Sequence, residues 1–219
     1  KEDRVISLLP LHHVTGLTAT VLGPLLMGAS VTFLETLSAE SIVSTMQKTR
    51  TTVLPAVPRL YELFYDGICQ KVAAKGKVAQ IIFNTLGNIC SAIRRFTPWN
   101  PGPRLFGTVH SAFGGSLRVC CCGAAPLSPE ILYGFEKLGF YVIEAYGLTE
   151  SAGVATAQPI SKRKPGTVGF SASHTQIKIA NPTPSTSEGE ICIRGPILMH
   201  GYFRDEDATN EVIREGWLH

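Results

Sequence analysis

The chain has 219 residues, 44% of them hydrophobic and 17% charged. That is apolar enough to build a core and lacks the charge excess of a disordered chain. A formal net charge of +3, with no Lys/Arg tract interleaved with aromatics and no zinc-finger spacing, makes no case for a nucleic-acid partner.

Val5–Leu9 is a short apolar run ending at Pro10 and predicts a buried strand. Residues 15–27 suit a buried helix with a kink or late start at Pro24, and Gly28 can cap its end. Ser30–Leu34 reads as a second strand. From Val5 to Leu34 there is no Asp, Glu, Lys or Arg, long enough to span a bilayer. Pro10, His12, His13, Gly16, Gly23, Pro24 and Gly28 punctuate that run, so strand, turn, helix and strand are expected instead. Ser38 predicts an N-cap for a helix to about Lys48. Thr52–Val57 predicts a strand interrupted by Pro55, and Pro58 suits the first turn of a helix towards Ala74.

Val78, Ile81, Ile82, Leu86, Ile89, Ile93 and Phe96 recur at three- and four-residue spacing and predict an amphipathic helix. A Pro/Gly-rich linker, Thr97 to Pro103, follows. Leu117–Cys122 predicts a strand, Ser128–Leu138 a helix with Pro129 at its first position, and Phe140–Ala145 another strand. Strands alternating with helices imply an α/β fold: a layered, mostly parallel sheet with flanking helices. After Ser161 the pattern shifts to short alternating runs. Gln176–Ile179 and Glu190–Arg194 read as a hairpin across turn residues Asn181 to Gly189. The expected division is 1–160 as an α/β unit and 161–219 as the start of a small β-rich unit.

Cys69, Cys90, Cys120, Cys121, Cys122 and Cys192 are expected to be reduced core thiols, because consecutive strand residues face opposite sides and make a poor disulfide or metal framework. Reduced thiols point to a cytoplasmic setting. Lys1 is not an initiator Met and nothing terminates the chain after His219, so both ends are expected to continue into the remainder of the protein.

In an open α/β sheet, ligands bind beyond the carboxyl ends of strands. Two expected turns lie there. Cys122-Gly123-Ala124-Ala125-Pro126-Leu127 has small side chains that let a flat ligand approach the backbone. Tyr146-Gly147-Leu148-Thr149-Glu150 gathers an aromatic ring that can stack on a purine, a hydroxyl that can donate to phosphate and a carboxylate that suits magnesium. Taken singly, the first is also an ordinary tight turn and the second a strand exit with a helix cap.

These residues resemble the adenylate-forming enzymes, which include acyl-CoA synthetases and nonribosomal-peptide adenylation domains. Pro10–Gly16 resembles their Pro-x-x-His-x-x-Gly segment. Gly123–Leu127 resembles their Gly-Gly/Ala-Ala-Pro-Leu turn, and Tyr146–Glu150 their Tyr-Gly-x-Thr-Glu motif. Gly189–Pro196, with Gly201 and Tyr202 downstream, resembles a further shared segment. The match runs over nearly the whole chain. Within the family it is most like the long-chain fatty acyl-CoA synthetases, through a long helical insert at about Ile68 to Gly115 and the Gly114-Gly115-Ser116-Leu117-Arg118 entry to the next strand.

The resemblance implies a site and a reaction. Gly123, Ala124, Ala125, Pro126, Glu144, Ala145, Tyr146, Gly147 and Thr149 would bind the nucleotide of ATP, with Tyr146 stacked on adenine and Thr149 at the α-phosphate. Glu150 would bind magnesium. His13, Val14, Leu17, Gly123, Gly147 and Leu148 would border the fatty acid, with His13 at its carboxylate and His12 a bystander; His13 as a plain hydrogen-bonded core histidine stays open. Thr149, Glu150 and His13 would be the catalytic set, and CoA the acceptor of the acyl group. The family's phosphate loop, its Thr-Gly-Asp and its lid lysine are not in this sequence, so the 219 residues are expected to be inactive alone. A carrier protein as acceptor, or a non-enzymatic binding module on the same fold, are the competing readings.

The stretch between Gly67 and Pro129 has no Asp or Glu but carries Lys71, Lys75, Lys77, Arg94, Arg95, Arg104 and Arg118. An apolar stripe with basic flanks suits an anionic membrane surface, giving a peripheral contact through residues 78–96. The plainer expectation is that this stripe packs on its own core.

Overall fold

The computed structural model describes residues 2–219. The chain opens with β1 (Arg4–Ser7), then α1 (Val14–Leu17), a π turn at Thr18–Leu22 and α2 (Gly23–Leu26). Strand β2 (Ser30–Phe33), helix α3 (Ala39–Thr49), β3 (Val53–Ala56), α4 (Pro58–Ala73) and the long α5 (Lys77–Phe96) follow. Two short helices, α6 (Gly102–Leu105) and α7 (Gly107–Ala112), lead to β4 (Val119–Cys122), α8 (Pro129–Lys137) and β5 (Tyr141–Tyr146). The remainder is β6 (Thr156–Ala157), β7 (Phe170–Ser171), β8 (Gln176–Ala180), β9 (Glu190–Arg194), α9 (Glu206–Val212), β10 (Ile213–Arg214) and β11 (Trp217–Leu218).

The first sheet has seven strands in the order β2-β1-β3-β4-β5-β6-β7. Strands β2 to β5 are mutually parallel, and β6 and β7 are antiparallel additions. The second sheet is antiparallel, in the order β10-β11-β9-β8. The expected hairpin is its centre, with Gln176 opposite Arg194 and Ala180 opposite Glu190. The first sheet takes one strand, β7, from beyond residue 160, so the sheets change over between Ser171 and Gln176.

Local signals explain most elements. The Ser38 hydroxyl accepts the Ser41 N–H at 3.1 Å and starts α3, while Arg50 closes it in the left-handed conformation, φ 52°. Pro58 sits at the first turn of α4 and Pro129 at that of α8. Ser128 holds the N-cap position of α8, but its side chain makes no capping bond. The expected helix is irregular ahead of Pro24, which sits in the first turn of α2. A π turn precedes it, with the Thr20 hydroxyl donating to the Gly16 carbonyl at 2.6 Å. Pro55 does not interrupt its strand: β1 pairs with β3 only at Val5–Val53, so past that point no β1 partner calls for the donor that proline lacks.

The main core lies between the sheet and α3, α4, α5 and α8. Tyr61 and Phe135 are fully buried and meet edge to face, 5.4 Å between centroids. The Tyr61 hydroxyl donates to the Leu54 carbonyl at 2.7 Å, so no polar group is stranded there. All six cysteines are free; Cys90, Cys120, Cys122 and Cys192 are buried as expected, while Cys69 and Cys121 are only half-buried. Burial pushes the Cys121 and Cys122 thiols up to about 12, which leaves them protonated and unreactive.

Helix α5 corrects the plainer expectation about its stripe. Its inner face is Phe83, Leu86, Gly87, Cys90 and Arg94. Phe83 meets Phe106 edge to face at 5.5 Å, and Arg94 lies over the Tyr141 ring at 4.6 Å and donates to the Glu136 and Phe140 carbonyls. Val78, Ile82, Ile89 and Phe96 lie within about 40° of one another on the helical wheel and face outward; Val78 is 70% and Phe96 81% exposed. Among the described residues no helix is long and apolar enough to cross a membrane.

Candidate nucleotide and acyl site

The strand order β2-β1-β3-β4-β5 places a topological switch between β1 and β3, where the connections leave to opposite sides. At the carboxyl ends of β1, β3, β4 and β5 lies a cavity of about 240 Å³. Pro10, His13 and Gly16 form one wall, Val57 another, and Cys122 to Ala124 with Ala145 the floor. Its lining is mostly apolar, which suits a hydrocarbon better than a sugar or a polyanion.

The Pro10–Gly16 wall needs its glycine. A Cβ on Gly16 would lie 2.1 Å from the Pro10 carbonyl oxygen, so no side chain fits where the helical segment turns back on the strand exit. His13 is the N-cap of α1: its Nδ1 accepts the Thr15 N–H at 3.2 Å, which leaves the proton on Nε2. It is exposed and borders the cavity, so it is not a core histidine. His12, expected as a bystander, borders the cavity too. Val14 packs toward Gly153, and Leu17 is 41% exposed; neither lines the cavity.

The Gly123–Leu127 turn leaves β4 with Ala124 at φ +69°, a left-handed conformation costing an L residue roughly 1–2 kcal/mol. Ala125 and Pro126 are exposed and Leu127 is buried beneath them. A Cβ on Gly123 would reach only ordinary contact, 3.4 Å, with the Ala145 carbonyl, so this turn and the end of β5 are neighbours.

Gly147 is packed against the returning chain: a Cβ there would fall 2.4 Å from the Gly153 carbonyl. The half-buried Tyr146 packs against the small second core of Ala155, Ile193 and Leu218. Leu148 and Thr149 are exposed, and Thr149–Ser151 forms a 3-10 turn closed by the buried Ser151 hydroxyl, which accepts the Leu148 N–H at 2.9 Å. Glu150 is half-buried. Its Oε1 accepts the Tyr202 hydroxyl at 2.8 Å, and its carbonyl accepts the Met199 N–H at 2.8 Å.

Glu144 sits in β5 opposite Cys122 and is 8% exposed. Burial raises its pKa, and the Leu127 and Gly166 N–H groups beside it pull it partly back. Its Oε2 has no hydrogen-bond partner among the described residues, nor does the buried Thr156 hydroxyl. Neither residue lines the cavity. The fit for magnesium is chemical: Glu150 is a hard oxygen ligand with Oε1 engaged and Oε2 unclaimed among the described residues. A second cluster, where Glu190 Oε2 and Cys192 Sγ face His219 Nδ1 at 3.0 and 3.4 Å, lies on the small sheet and is explained as hydrogen bonding around one imidazole nitrogen.

Strand pairing thus brings the two turns and the Pro10–Gly16 wall together. Sequence reasoning missed Val57 and Cys121 as cavity residues and Tyr202 as the partner of Glu150. Tyr202 had a signal, since it follows Gly201 in a recognised segment; its partner, 52 positions away, had none.

The sequence profile of the AMP-binding enzymes matches residues 1–203. The chain belongs to that family. It is 32% identical over 233 residues to a peroxisomal long chain acyl-CoA synthetase 7 of Arabidopsis thaliana, covering 99% of this chain and 33% of that protein. It is 34% identical over 193 residues to long-chain-fatty-acid–CoA ligase 6 of Rattus norvegicus, covering 80% of this chain and 26% of the relative. The chain therefore spans about a third or less of these AMP-binding relatives. Among solved structures, a malonyl-CoA ligase product complex with methylmalonyl-CoA and AMP superposes with TM-score 0.70 and 26% identity, over all of this chain and 40% of that one. An o-succinylbenzoate CoA synthetase of Bacillus subtilis with ATP and magnesium gives TM-score 0.68 at 21% identity, over 99% and 38% of the two chains, which supports the fold.

Proposed function

We propose that this chain is the central part of an ATP-dependent long-chain fatty acid–CoA ligase. The observation that carries the reading is the apolar cavity bordered by His13 and the Gly123–Ala124 turn, at the carboxyl edge of the sheet whose β5 leads into the Glu150 turn. The names of the long-chain relatives support the acyl class.

In the first half-reaction the fatty carboxylate attacks the α-phosphorus of ATP and pyrophosphate leaves. In the second the CoA sulfur attacks the acyl carbon of the mixed anhydride, giving the thioester and AMP. The chain's own groups position and polarise. Tyr146 stacks on the purine, the Gly123–Pro126 backbone lies along the nucleotide, and the exposed Thr149 hydroxyl donates to an α-phosphate oxygen. His13, with its proton on Nε2, donates to the substrate carboxylate. Glu150 would hold magnesium, which when bound offsets charge on the phosphoryl oxygens.

Glu150→Gln in the enzyme should cut adenylation at least tenfold, about 1.4 kcal/mol in the barrier, with thermal stability unchanged. Equal activity with an unchanged magnesium requirement overturns the assignment. The 219 residues alone should release no pyrophosphate with ATP, magnesium and palmitate.

We also propose that the outer ridge of α5 rests on an anionic lipid surface. Val78, Ile81, Ile82, Ile89, Phe96 and Trp99 are exposed, with Lys77 and Arg95 exposed beside them and no acid from Gly67 to Pro129. Arg94 is spent on Tyr141 and two carbonyls and is not part of that surface. Lys77→Glu with Arg95→Glu should abolish low-salt flotation with phosphatidylserine vesicles; a wild type that does not float, or a mutant that still does, ends the proposal.

A further inference from the structure

We infer that Tyr202 is a positioning residue for the cation-binding carboxylate: its phenol holds Oε1 of Glu150 and leaves Oε2 for a divalent cation. This rests on the reading of Glu150 as the magnesium ligand and adds a residue to it.

The contact is direct. Tyr202 Oη donates to Glu150 Oε1 at 2.8 Å, across 52 positions of chain. A carboxylate with one oxygen tied has lost most of its freedom to rotate, and outer partners of this kind orient a ligand and tune its affinity for metal.

The tyrosine is itself held in place. Its N–H donates to the Thr209 hydroxyl at 2.9 Å, and that hydroxyl donates to the Asp205 carbonyl at 2.7 Å. Asp205 in turn caps α9, its carboxylate accepting the Ala208 N–H at 3.0 Å. A Cβ on Gly201 would meet the Thr209 side chain at 2.9 Å, so the residue before Tyr202 is small where the chain passes close to α9. The same segment grips Glu150 a second time through the Met199 N–H at 2.8 Å. Main chain and side chain of Glu150 are therefore both set by residues 199–202.

A fold-stabilising role accounts for this poorly. Tyr202 is 38% exposed and Glu150 half-buried, so water competes for the bond and its net contribution to stability is small. Orientation of the carboxylate does not depend on that net energy, because only the direction of Oε2 has to be defined.

The test compares Tyr202→Phe, which removes one oxygen and keeps the ring, with Glu150→Gln in the whole enzyme. ATP affinity is measured calorimetrically without acyl substrate, first metal-free and then across a magnesium titration. Glu150→Gln should lose the tightening that magnesium brings. Tyr202→Phe should keep metal-free ATP affinity and thermal stability and move the magnesium midpoint up roughly three- to tenfold, within the range seen for outer partners of metal ligands. If Glu150→Gln loses the magnesium effect and Tyr202→Phe matches wild type, the role of Tyr202 is wrong and that of Glu150 stands. If Tyr202→Phe weakens ATP equally with and without metal, its role is structural and the inference falls. If Glu150→Gln behaves as wild type, the reading of Glu150 falls and this inference with it.

Discussion

The seven-stranded sheet seals Tyr61, Leu132, Phe135, Leu138 and Phe140 between its strands and the helices packed on it, each with 1% or less of its surface exposed. The four-stranded sheet rests on a small core around Ala155, Ile193 and Leu218, widened by half-buried Tyr146, Ile177 and Leu198. The candidate site draws on both. Its turns leave β4 and β5 of the deep sheet, but Tyr146 packs on the shallow core and Glu150 is held from residues 199–202. A shallow unit can open at a lower free energy than a deep one. Damage to the deep core should therefore unfold the protein, and damage to the shallow core should misplace Tyr146 and Glu150 first.

The largest expected effect tests that directly. Phe135→Ala should cost about 3–5 kcal/mol in urea unfolding, since the aromatic cluster around it cannot close the cavity. Ile193→Ala should cost about 2 kcal/mol, the low end for such a truncation, because the thin core can relax. It should nonetheless weaken ATP binding. Equal costs, or an Ile193 variant with unchanged ATP affinity, would break the contrast.

Glu144 sharpens it within the deep sheet. Burial raises its folded pKa above the reference value of 4.5, so the folded chain keeps a proton over a window where the unfolded chain has released it. That contribution to stability is complete below the unfolded value and is lost as pH rises through the folded one. At neutral pH Glu144→Gln should then be the more stable protein, with the advantage fading as pH falls through the folded pKa and gone below the reference value of 4.5. Thermal melts at pH 3.5 and pH 7 check it; a variant less stable at pH 7 would mean that the ionised carboxylate is well solvated.

The smallest effect is at the turn itself. Ala124→Gly removes a Cβ from a backbone at φ +69° and adds freedom to the unfolded chain. These oppose each other, so the net gain should be under about 1 kcal/mol. A clear loss of melting temperature would show that the methyl packs.

Much of the fold was legible because it is local. The Ser38 cap, Pro58 and Pro129 at helix starts, the hairpin of β8 and β9, and the two turns after β4 and β5 are each written in a few adjacent residues. The stripe of α5 was legible as a period but not as a direction. Ridge and core face are both apolar, and the inner face is completed by Gly87, whose missing side chain lets the Lys137 stem approach, and by Arg94, whose charge disguises a packed residue. Pro55 looked like a break because the sequence does not reveal that β1 pairs with β3 at one point only.

By itself, then, the sequence determined the alternation of strands and helices, the turn chemistry, and the residue types gathered at Gly123–Leu127 and Tyr146–Glu150, since each depends on spacing along a few residues. Tertiary structure decided which of them meet. The switch between β1 and β3 made a cavity of segments more than a hundred positions apart, and the closing of the small sheet carried Tyr202 onto Glu150. Such contacts depend on strand order and packing, which no short stretch of chain encodes.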